Sequence, residues 1–229
     1  WEVFINSIFI IFTSVAVQLL VGMAIALLLN KKLPFRGLFR SGVFIIWIIP
    51  MIVVSLLWMI LYNSEFGMFN FVLKQTGLIE KFIPWLGKPW PSRFAIIIAY
   101  GWRGVPFFMI MILAGLQTVP GDIMDAAKID GTNAVQRFFM IIIPFIKHIV
   151  FLSCLLSIVR LFQDITLIYI LTNGGPVYAT TTFGLHVYKE AFNSFQMGRA
   201  ASIGVTWLIF LMVLSVFYVR TVTKNDFRK

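Results

Sequence analysis

The beginning of the chain carries the feature that most limits its fold: residues 3–30 contain no ionisable side chain. A helix needs about 20 apolar residues to cross about 30 Å of hydrocarbon, so this run can span a membrane. Further apolar runs follow at residues 41–62, 94–117, 144–171 and 200–219. None alternates strictly between polar and apolar residues, as a membrane β-barrel strand does. The sequence therefore predicts an all-α integral membrane protein with five transmembrane helices, in a single domain over residues 1–229.

The composition excludes other classes of protein. Hydrophobic residues make up 60% of the chain, charged residues make up 12%, and the mean hydropathy is +0.93, far above that of a soluble domain. The net charge of +10 suits membrane lipid, and no basic stripe interleaved with aromatic residues indicates nucleic-acid binding. Because Cys154 is the single cysteine, neither a disulfide framework nor a thiolate metal site is expected.

The connecting loops predict the orientation of the chain. Residues 30–40 and the tail after Val219 are rich in cations, and such segments stay on the cytoplasmic side. The basic residues are Lys31, Lys32, Arg36 and Arg40 in the loop, and Arg220, Lys224, Arg228 and Lys229, against Asp226, in the tail. Threading five spans under this constraint puts residues 122–137 inside and residues 63–93 and 174–199 outside.

The outer segments are expected to form short helices in the membrane interface, one within residues 67–86 and one after Thr182. With this orientation the first span enters from outside. Since a chain normally starts inside, we expect a further helix before it.

A polar segment at residues 119–132, between the third and fourth runs, is predicted to form a helix of about two turns that a partner can grip. Asp122 stands at an N-cap position, Asp125 follows as in a capping box, and Gly131 stands where the helix would stop. The small side chains of Ala126 and Ala127 let a partner's backbone approach closely.

Charged side chains inside the runs indicate a transport pathway. Arg103 lies near the middle of the third run, where an unpaired charge costs at least ~2.5 kcal/mol, so it should face a cavity or a charge on another subunit. Pro106 and the two neighbouring glycines are expected to interrupt this helix, as in transporters with broken helices at the substrate site. Arg160 and Asp164, four residues apart in the fourth run, could neutralise each other or contact substrate.

Motifs of catalysis and of nucleotide binding are absent. The sequence has no nucleophile elbow, no zinc-binding His pair and no Gly-rich phosphate loop. We therefore expect a chain that is not an enzyme, holds no metal or cofactor, and draws its energy from another subunit.

Two motifs carry a resemblance to a known family. The first, from Asp125, reads Asp-Ala-Ala-Lys-Ile-Asp-Gly with Phe138, Phe139 and Pro144 downstream, and the second, from Leu171, reads Leu-Thr-Asn-Gly-Gly-Pro. The first is similar to the Glu-Ala-Ala signature, and the second to a maltose-type segment, of the membrane subunits of carbohydrate-importing ABC transporters, the maltose and glycerol-3-phosphate permease family. The resemblance covers essentially the whole chain, as family helices two to six.

Two positions depart from the pattern of that family. Asp125 replaces the usual Glu, and Thr132 stands where Ala commonly follows the glycine. A carboxylate one methylene shorter keeps its charge but reaches a different distance toward the ATPase.

The resemblance implies a mechanism, partners and a location. Residues 119–132 would be a cytoplasmic coupling helix, docked on a separate ATPase through Asp122, Asp125, Ala126, Ala127, Asp130 and Gly131. The partners implied are a second permease subunit, two ATPase subunits that bind ATP and magnesium, an extracytoplasmic solute-binding protein and membrane lipid. The chain would be a multi-pass protein of the bacterial cytoplasmic (inner) membrane. Its substrate cavity would be lined by Trp47, Arg103, Gly104, Phe107, Ser157, Leu161 and Asp164.

The function implied is the import of a sugar or oligosaccharide, and Arg103 within such a site suggests an anionic one. The alternatives are a proton-coupled or channel-like carrier that works without an ATPase, and an inert membrane scaffold. A self-sufficient carrier has no need of a capped cytoplasmic helix. A proton-driven one usually carries acids inside its spans, where this chain has Asp164 alone.

Overall fold

A computed structural model describes residues 1–31 and 34–224, and all regular structure in that part of the chain is helical. The helices are Glu2–Leu29 (α1), Arg36–Ile48 (α2), Met51–Leu61 (α3), Met68–Gln75 (α4), Pro89–Leu116 (α5), Gly121–Ile129 (α6), Ala134–Arg137 (α7), Ile143–Gln163 (α8), Thr166–Thr172 (α9), Phe183–Tyr188 (α10) and Met197–Lys224 (α11). Wider π-helical turns at Phe138–Ile142 and Lys189–Asn193 lead into α8 and continue α10. Of the charges used to predict orientation, Lys32, Asp226, Arg228 and Lys229 lie outside the described residues.

The described helices confirm an all-α membrane protein. By length and composition, α1, α5, the stretch Ala134–Gln163 and the stretch Met197–Arg220 can each cross a membrane. Helices α2 and α3 make a fifth span if the bent pair is counted as one. The two short helices expected on the outer side are α4 and α10.

The second span is broken, which the sequence analysis did not predict. Its two halves, α2 and α3, meet at an angle of 95° around Ile49 and Pro50. Ile49 is extended, with φ −60° and ψ 128°, because a residue before proline is driven out of the helical region. The predicted span over residues 41–62 therefore forms as two helices joined at a bend.

The fourth span ends earlier than predicted. Helix α8 stops at Gln163, and Asp164 adopts an extended conformation with ψ 120°. The Asp164 Oδ1 atom accepts a hydrogen bond of 2.9 Å from the backbone N–H of Thr166, which begins the separate helix α9. The carboxylate thus stabilises the break between α8 and α9. A single span over residues 144–171 does not form.

The third span is continuous where an interruption was expected. Helix α5 runs through Pro106 without a break. The neighbouring glycines serve close packing instead: a Cβ at Gly101 would meet Val17 of α1 at 2.7 Å, and one at Gly104 would overlap the side chain of Gln18. The glycines therefore bring α1 against α5, and this packing supports the helix across its proline.

Helix α5 is the centre of the fold. Its buried residues pack along α1 and against α8, and the wholly buried ones include Ile96, Phe108, Met109 and Ile112. By contrast, α2 has no buried residue, and only a minority of the described side chains of α8 and α11 are fully buried. The chain therefore has a rigid α1–α5 core surrounded by helices whose apolar faces remain open.

A polar clamp closes the predicted outer end of this core. The Arg93 guanidinium donates to Asn6 Oδ1 at 2.9 Å and to the Ala179 carbonyl at 3.0 Å, and Asn6 donates to the Tyr178 carbonyl at 2.9 Å. The clamp ties α1, α5 and the loop before α10 into one unit. Hydrogen bonds to a charged group contribute about 1.5–3 kcal/mol each.

Replacement of Gly104 by alanine should destabilise the fold by about 1–3 kcal/mol, because a Cβ there overlaps the Gln18 side chain. The matched control is Gly204→Ala in α11, where a Cβ meets nothing within 4 Å. Thermal unfolding of the purified protein in detergent would measure both. Equal midpoints for the two variants would contradict the close packing of α1 and α5.

Candidate functional site

An aromatic pair lies beside the bend in the second span. The rings of Trp47 in α2 and Phe107 in α5 are stacked, with centroids 6.4 Å apart and an interplanar angle of 26°. The guanidinium carbon of Arg160 in α8 lies 5.6 Å from the centroid of the Phe107 ring, a cation–π contact. Trp47 is 36% exposed, so the aromatic surface faces out of the packed core. Flat, partly open aromatic faces are suited to stacking on a sugar ring.

Charged groups from α5 and α8 gather next to this pair. Arg103 precedes Phe107 by one helical turn and interacts electrostatically with Arg160 and Asp164. The Arg103 Nε and Nη1 atoms are buried and have no hydrogen-bond partner within the part of the chain that the structure describes. Two guanidinium groups thus lie in the electrostatic field of one carboxylate, and Arg103 has unsatisfied donors. Such donors are costly unless a further acceptor binds there.

Arg160 and Asp164 stand one helical turn apart at the end of α8, since the backbone N–H of Asp164 donates to the Arg160 carbonyl at 3.1 Å. Helix α8 ends before Asp164, whose Oδ1 atom accepts the N–H of Thr166, while Arg160 lies over Phe107. The two charges still interact electrostatically. The Tyr100 hydroxyl, 3.4 Å from the Asp164 carbonyl, joins α5 to the break between α8 and α9.

Three of the predicted cavity residues are buried in the core instead of lining the aromatic surface. Ser157 is 1% exposed and donates to Gln18 Oε1 at 2.6 Å, and Gly104 packs directly on the same Gln18 side chain. Leu161 is also buried. The structure brings together Trp47, Arg103, Phe107 and Asp164, and adds Arg160.

Gln18 is a central polar residue that the sequence analysis missed. Its Nε2 atom donates to the Tyr100 carbonyl at 2.9 Å, and its Oε1 atom accepts from Ser157. The side chain is completely buried and connects α1, α5 and α8. Its position could have indicated this role, because a polar side chain in the middle of a membrane run usually bonds to another helix.

Helix α6 forms within the predicted coupling segment, but its start differs from the prediction. Pro120 is the N-cap and makes no side-chain cap, so Asp122 lies in the first turn, where a carboxylate favours the helix dipole. Asp125 closes no capping box; its Oδ1 accepts from Lys128 Nζ at 2.7 Å. That hydrogen bond and the positive charge lower the pKa of the Asp125 carboxyl. A capping box forms one helix later, between Asn133 and Gln136 at α7.

The end of α6 agrees with the prediction. Gly131 has φ +76°, and its N–H donates to the Lys128 carbonyl while the N–H of Thr132 donates to the Ala127 carbonyl. These paired bonds, with Asp130 as the C-cap, make a Schellman motif. Thr132 Oγ1 also bonds the Ala127 carbonyl.

The two alanines of α6 differ in exposure. Ala126 is exposed, whereas Ala127 is buried within this chain. Only Ala126 is therefore open to a partner. Asp122, Asp125 and Asp130 are also exposed along this short helix.

The Thr-Asn-Gly-Gly-Pro segment ends α9 and is held by buried threonines. Asn173 and Gly174 have positive φ angles of 49° and 80°, which reverse the chain. Thr180 Oγ1 lies 2.7 Å from Thr172 Oγ1, and Thr181 Oγ1 donates to the Gly174 carbonyl at 2.9 Å. The threonines thus fix the loop that follows α9.

No group of three or more His, Cys, Asp or Glu side chains within residues 1–31 and 34–224 is arranged to hold a metal ion.

These helices, the charged cluster between them and the exposed α6 define a multi-pass membrane subunit of a transporter. The chain belongs to the family of binding-protein-dependent transport system inner membrane components, whose sequence profile matches residues 18–228. The family expected from the two motifs is thereby confirmed.

Individual relatives cover most of the chain. It is 37% identical to the trehalose/maltose transport system permease protein MalF of Thermococcus litoralis over 205 residues, which are 89% of this chain and 68% of that relative. It is 33% identical to the lactose transport system permease protein LacF of Rhizobium radiobacter, over 93% of this chain and 72% of LacF.

The fold is similar to that of a solved transporter. A bacterial alginate ABC transporter, crystallised in complex with alginate pentasaccharide-bound periplasmic protein, matches with a TM-score of 0.78 and 20% identity. The match covers 95% of this chain and 77% of the chain in that structure. It shows a shared arrangement of helices.

Replacement of Gly131 by alanine should loosen the end of α6, because an L-residue in the left-handed conformation costs about 1 kcal/mol, roughly a fivefold rise in the opened population. Hydrogen exchange of the α6 amides would measure this effect. The matched control is Gly121→Ala at the other end of α6, where a Cβ meets nothing within 4 Å. Equal exchange rates in both variants would contradict a role of Gly131 as the helix stop.

Proposed function

We propose that this chain is the permease subunit of an importer that moves an oligosaccharide across the bacterial cytoplasmic membrane, with ATP hydrolysed by separate subunits. The observation that carries the proposal is the stacked Trp47–Phe107 pair beside the charged cluster of Arg103, Arg160 and Asp164. Aromatic faces for sugar rings next to polar groups for substituents make up the usual chemistry of a carbohydrate site.

The relatives support a carbohydrate as the substrate. MalF is named for trehalose and maltose, and LacF for lactose. Both similarities extend over the helices that carry the aromatic pair and the charges, since they cover 89% and 93% of this chain. A soluble binding protein would deliver the sugar to the outer face, close to the clamp formed by Arg93 and Asn6.

A second permease subunit would complete the cavity. Trp47 lies at the open side of this chain, and α2 buries none of its residues in the chain's own packing. Exposed apolar side chains continue along α3, at Ile52, Val53, Leu56 and Ile60. A surface of this kind can pack on the corresponding helices of a partner, which would close the pocket on the side opposite α5.

Helix α6 would receive the force of the ATPase subunits, which bind ATP and magnesium. It is short, and an isolated helix of its length is marginal in water. The Schellman motif at Gly131 and the Asp125–Lys128 ion pair keep it formed, so that a push on one end moves the whole helix. The α7 and π-helical turns then connect it to α8, which carries Arg160.

Replacement of Ala126 by tryptophan should abolish ATPase docking and uptake, because a bulky ring at this exposed position prevents close approach to α6. The matched control is Ala201→Trp, also exposed but on α11. Co-purification of the ATPase subunits and sugar uptake by the assembled complex would measure the effect. Full uptake by the Ala126 variant would favour a proton-coupled or channel-like carrier that needs no ATPase.

Within this function, we infer that the oligosaccharide carries an acidic group. Two arginines lie in the electrostatic field of one carboxylate in the site, and the buried Nε and Nη1 atoms of Arg103 have no hydrogen-bond partner in the described chain. A carboxylate or sulfonate would supply both the missing charge and a bidentate acceptor, which fits the planar guanidinium.

Replacement of Arg103 by glutamine should lower uptake of an acidic oligosaccharide about tenfold, because a hydrogen bond to a charged group contributes about 1.5–3 kcal/mol. Uptake of a neutral oligosaccharide of equal length should change little. Arg103→Lys should keep part of the preference, and Arg40→Gln on α2 should keep all of it. The binding protein is the same in all four assays, so a change in the ratio arises in the permease.

If the ratio of acidic to neutral oligosaccharide uptake is unchanged in the Arg103→Gln complex, Arg103 takes no part in substrate recognition. Loss of both substrates in every variant would instead indicate a failure of assembly, which the Arg40→Gln control detects.

A further inference from the structure

An apolar groove lies at the end of the molecule opposite the Asn6–Arg93 clamp. It has a volume of about 500 Å³ and runs between the end of α1, helix α6 and the start of the fourth span. Its apolar wall includes Leu27, Val135, Phe139 and Ile142. Val135 is 64% exposed and Phe139 is 63% exposed, so the wall is open on its outer side. The described part of the chain leaves this surface uncovered.

Two cations stand at the edge of the groove, and no acidic residue among residues 1–31 and 34–224 lines it. Lys31, just after α1, is exposed. Arg137, at the end of α7, is half-buried, and its guanidinium donates to the carbonyl of Thr132. The groove thus combines a hydrocarbon-like floor with a positively charged rim, which is complementary to an amphiphile with a negative head and an apolar tail.

The position of the groove fits the membrane boundary. Helix α1 ends at Leu29, and the apolar stretch of the fourth span begins at Phe138, so both walls pass from polar loop to membrane helix at this level. The excess of cations in residues 30–40 assigns this end to the cytoplasmic side. Basic pockets between helices at that side are typical sites for acidic lipid headgroups.

We propose that this groove binds an anionic phospholipid of the cytoplasmic leaflet. The phosphate lies against Lys31 and Arg137, and an acyl chain follows Val135, Phe139 and Ile142 along the beginning of the fourth span. The lipid fills the space between α1 and α6 and so supports the position of the coupling helix.

The face of α6 that the ATPase would use is a different one. Asp122 and Ala126 stand one turn apart on the helix, whereas Met124, which lines the groove, lies between them on the opposite side. A lipid in the groove and an ATPase on α6 can therefore be bound together.

Native mass spectrometry of the assembled importer tests the proposal. The detergent-purified complex is titrated with phosphatidylglycerol and with phosphatidylcholine of the same acyl chains. The wild type should retain phosphatidylglycerol several-fold more than phosphatidylcholine. Lys31→Gln should lower that ratio at least threefold, and Val135→Glu, which places a negative charge in the exposed wall, should lower it further. The matched control, Lys81→Gln, removes an exposed cation from the loop after α4 and should leave the ratio unchanged.

The proposal is overturned if Lys31→Gln and Val135→Glu retain the wild-type ratio. A Val135→Cys variant provides a second measurement, because its thiol should crosslink to a photoactivatable phosphatidylglycerol in vesicles of phosphatidylglycerol and phosphatidylethanolamine. Crosslinking to an ATPase subunit in place of the lipid would show that a protein covers the groove, and would also overturn the proposal.

Discussion

The close packing of α1 on α5 is the constraint on which the rest of the structure depends. Gly101 and Gly104 remove the side chains that would hold the helices apart, and Gln18 uses the space to reach the Tyr100 carbonyl and the Ser157 hydroxyl. In lipid the hydrophobic effect does not draw helices together, so small residues and interhelical hydrogen bonds must do so. The side-chain amide of Gln18 thereby joins three spans. It holds α5 and α8, which carry the charged cluster, in fixed positions relative to each other.

The fold could be predicted well where the sequence signal is long and uniform. Apolar runs of the length of α1 and α11 have few alternatives to a membrane helix, and the described helices occur where those runs predict them. The breaks within the membrane helices were harder to predict, because proline has opposite effects in two places. Pro50 ends α2 in a bend of 95°, whereas Pro106 lies inside a continuous helix. The difference is tertiary: Pro106 is buried against neighbouring helices, and Pro50 is exposed.

The candidate site was predicted in part. The resemblance to the family implied Trp47, Arg103, Phe107 and Asp164 as cavity residues, and the structure brings these four to one region. Arg103 and Asp164 were also indicated by the sequence itself, as charges inside membrane runs. The resemblance also implied Gly104, Ser157 and Leu161, which are buried in the core, because a one-dimensional pattern does not tell which side of a mostly apolar helix is packed. The same limit explains the capping of α6. The sequence offered Asp122 and Asp125 as caps for the start of α6. The backbone places the N-cap at Pro120, so neither side chain caps the helix.

The bend between α2 and α3 affects how the subunit can move. Helix α2 has no fully buried residue and meets the core through the half-buried Val43 and the Trp47–Phe107 stack, whereas displacing α1 would break the amide bridge at Gln18. Helix α2, which carries the indole ring of Trp47, thus lies loosely attached next to the tightly packed α1–α5 core. Opening and closing of the sugar path in such a subunit would then proceed by a swing of about a dozen residues around Pro50, without remodelling the bundle.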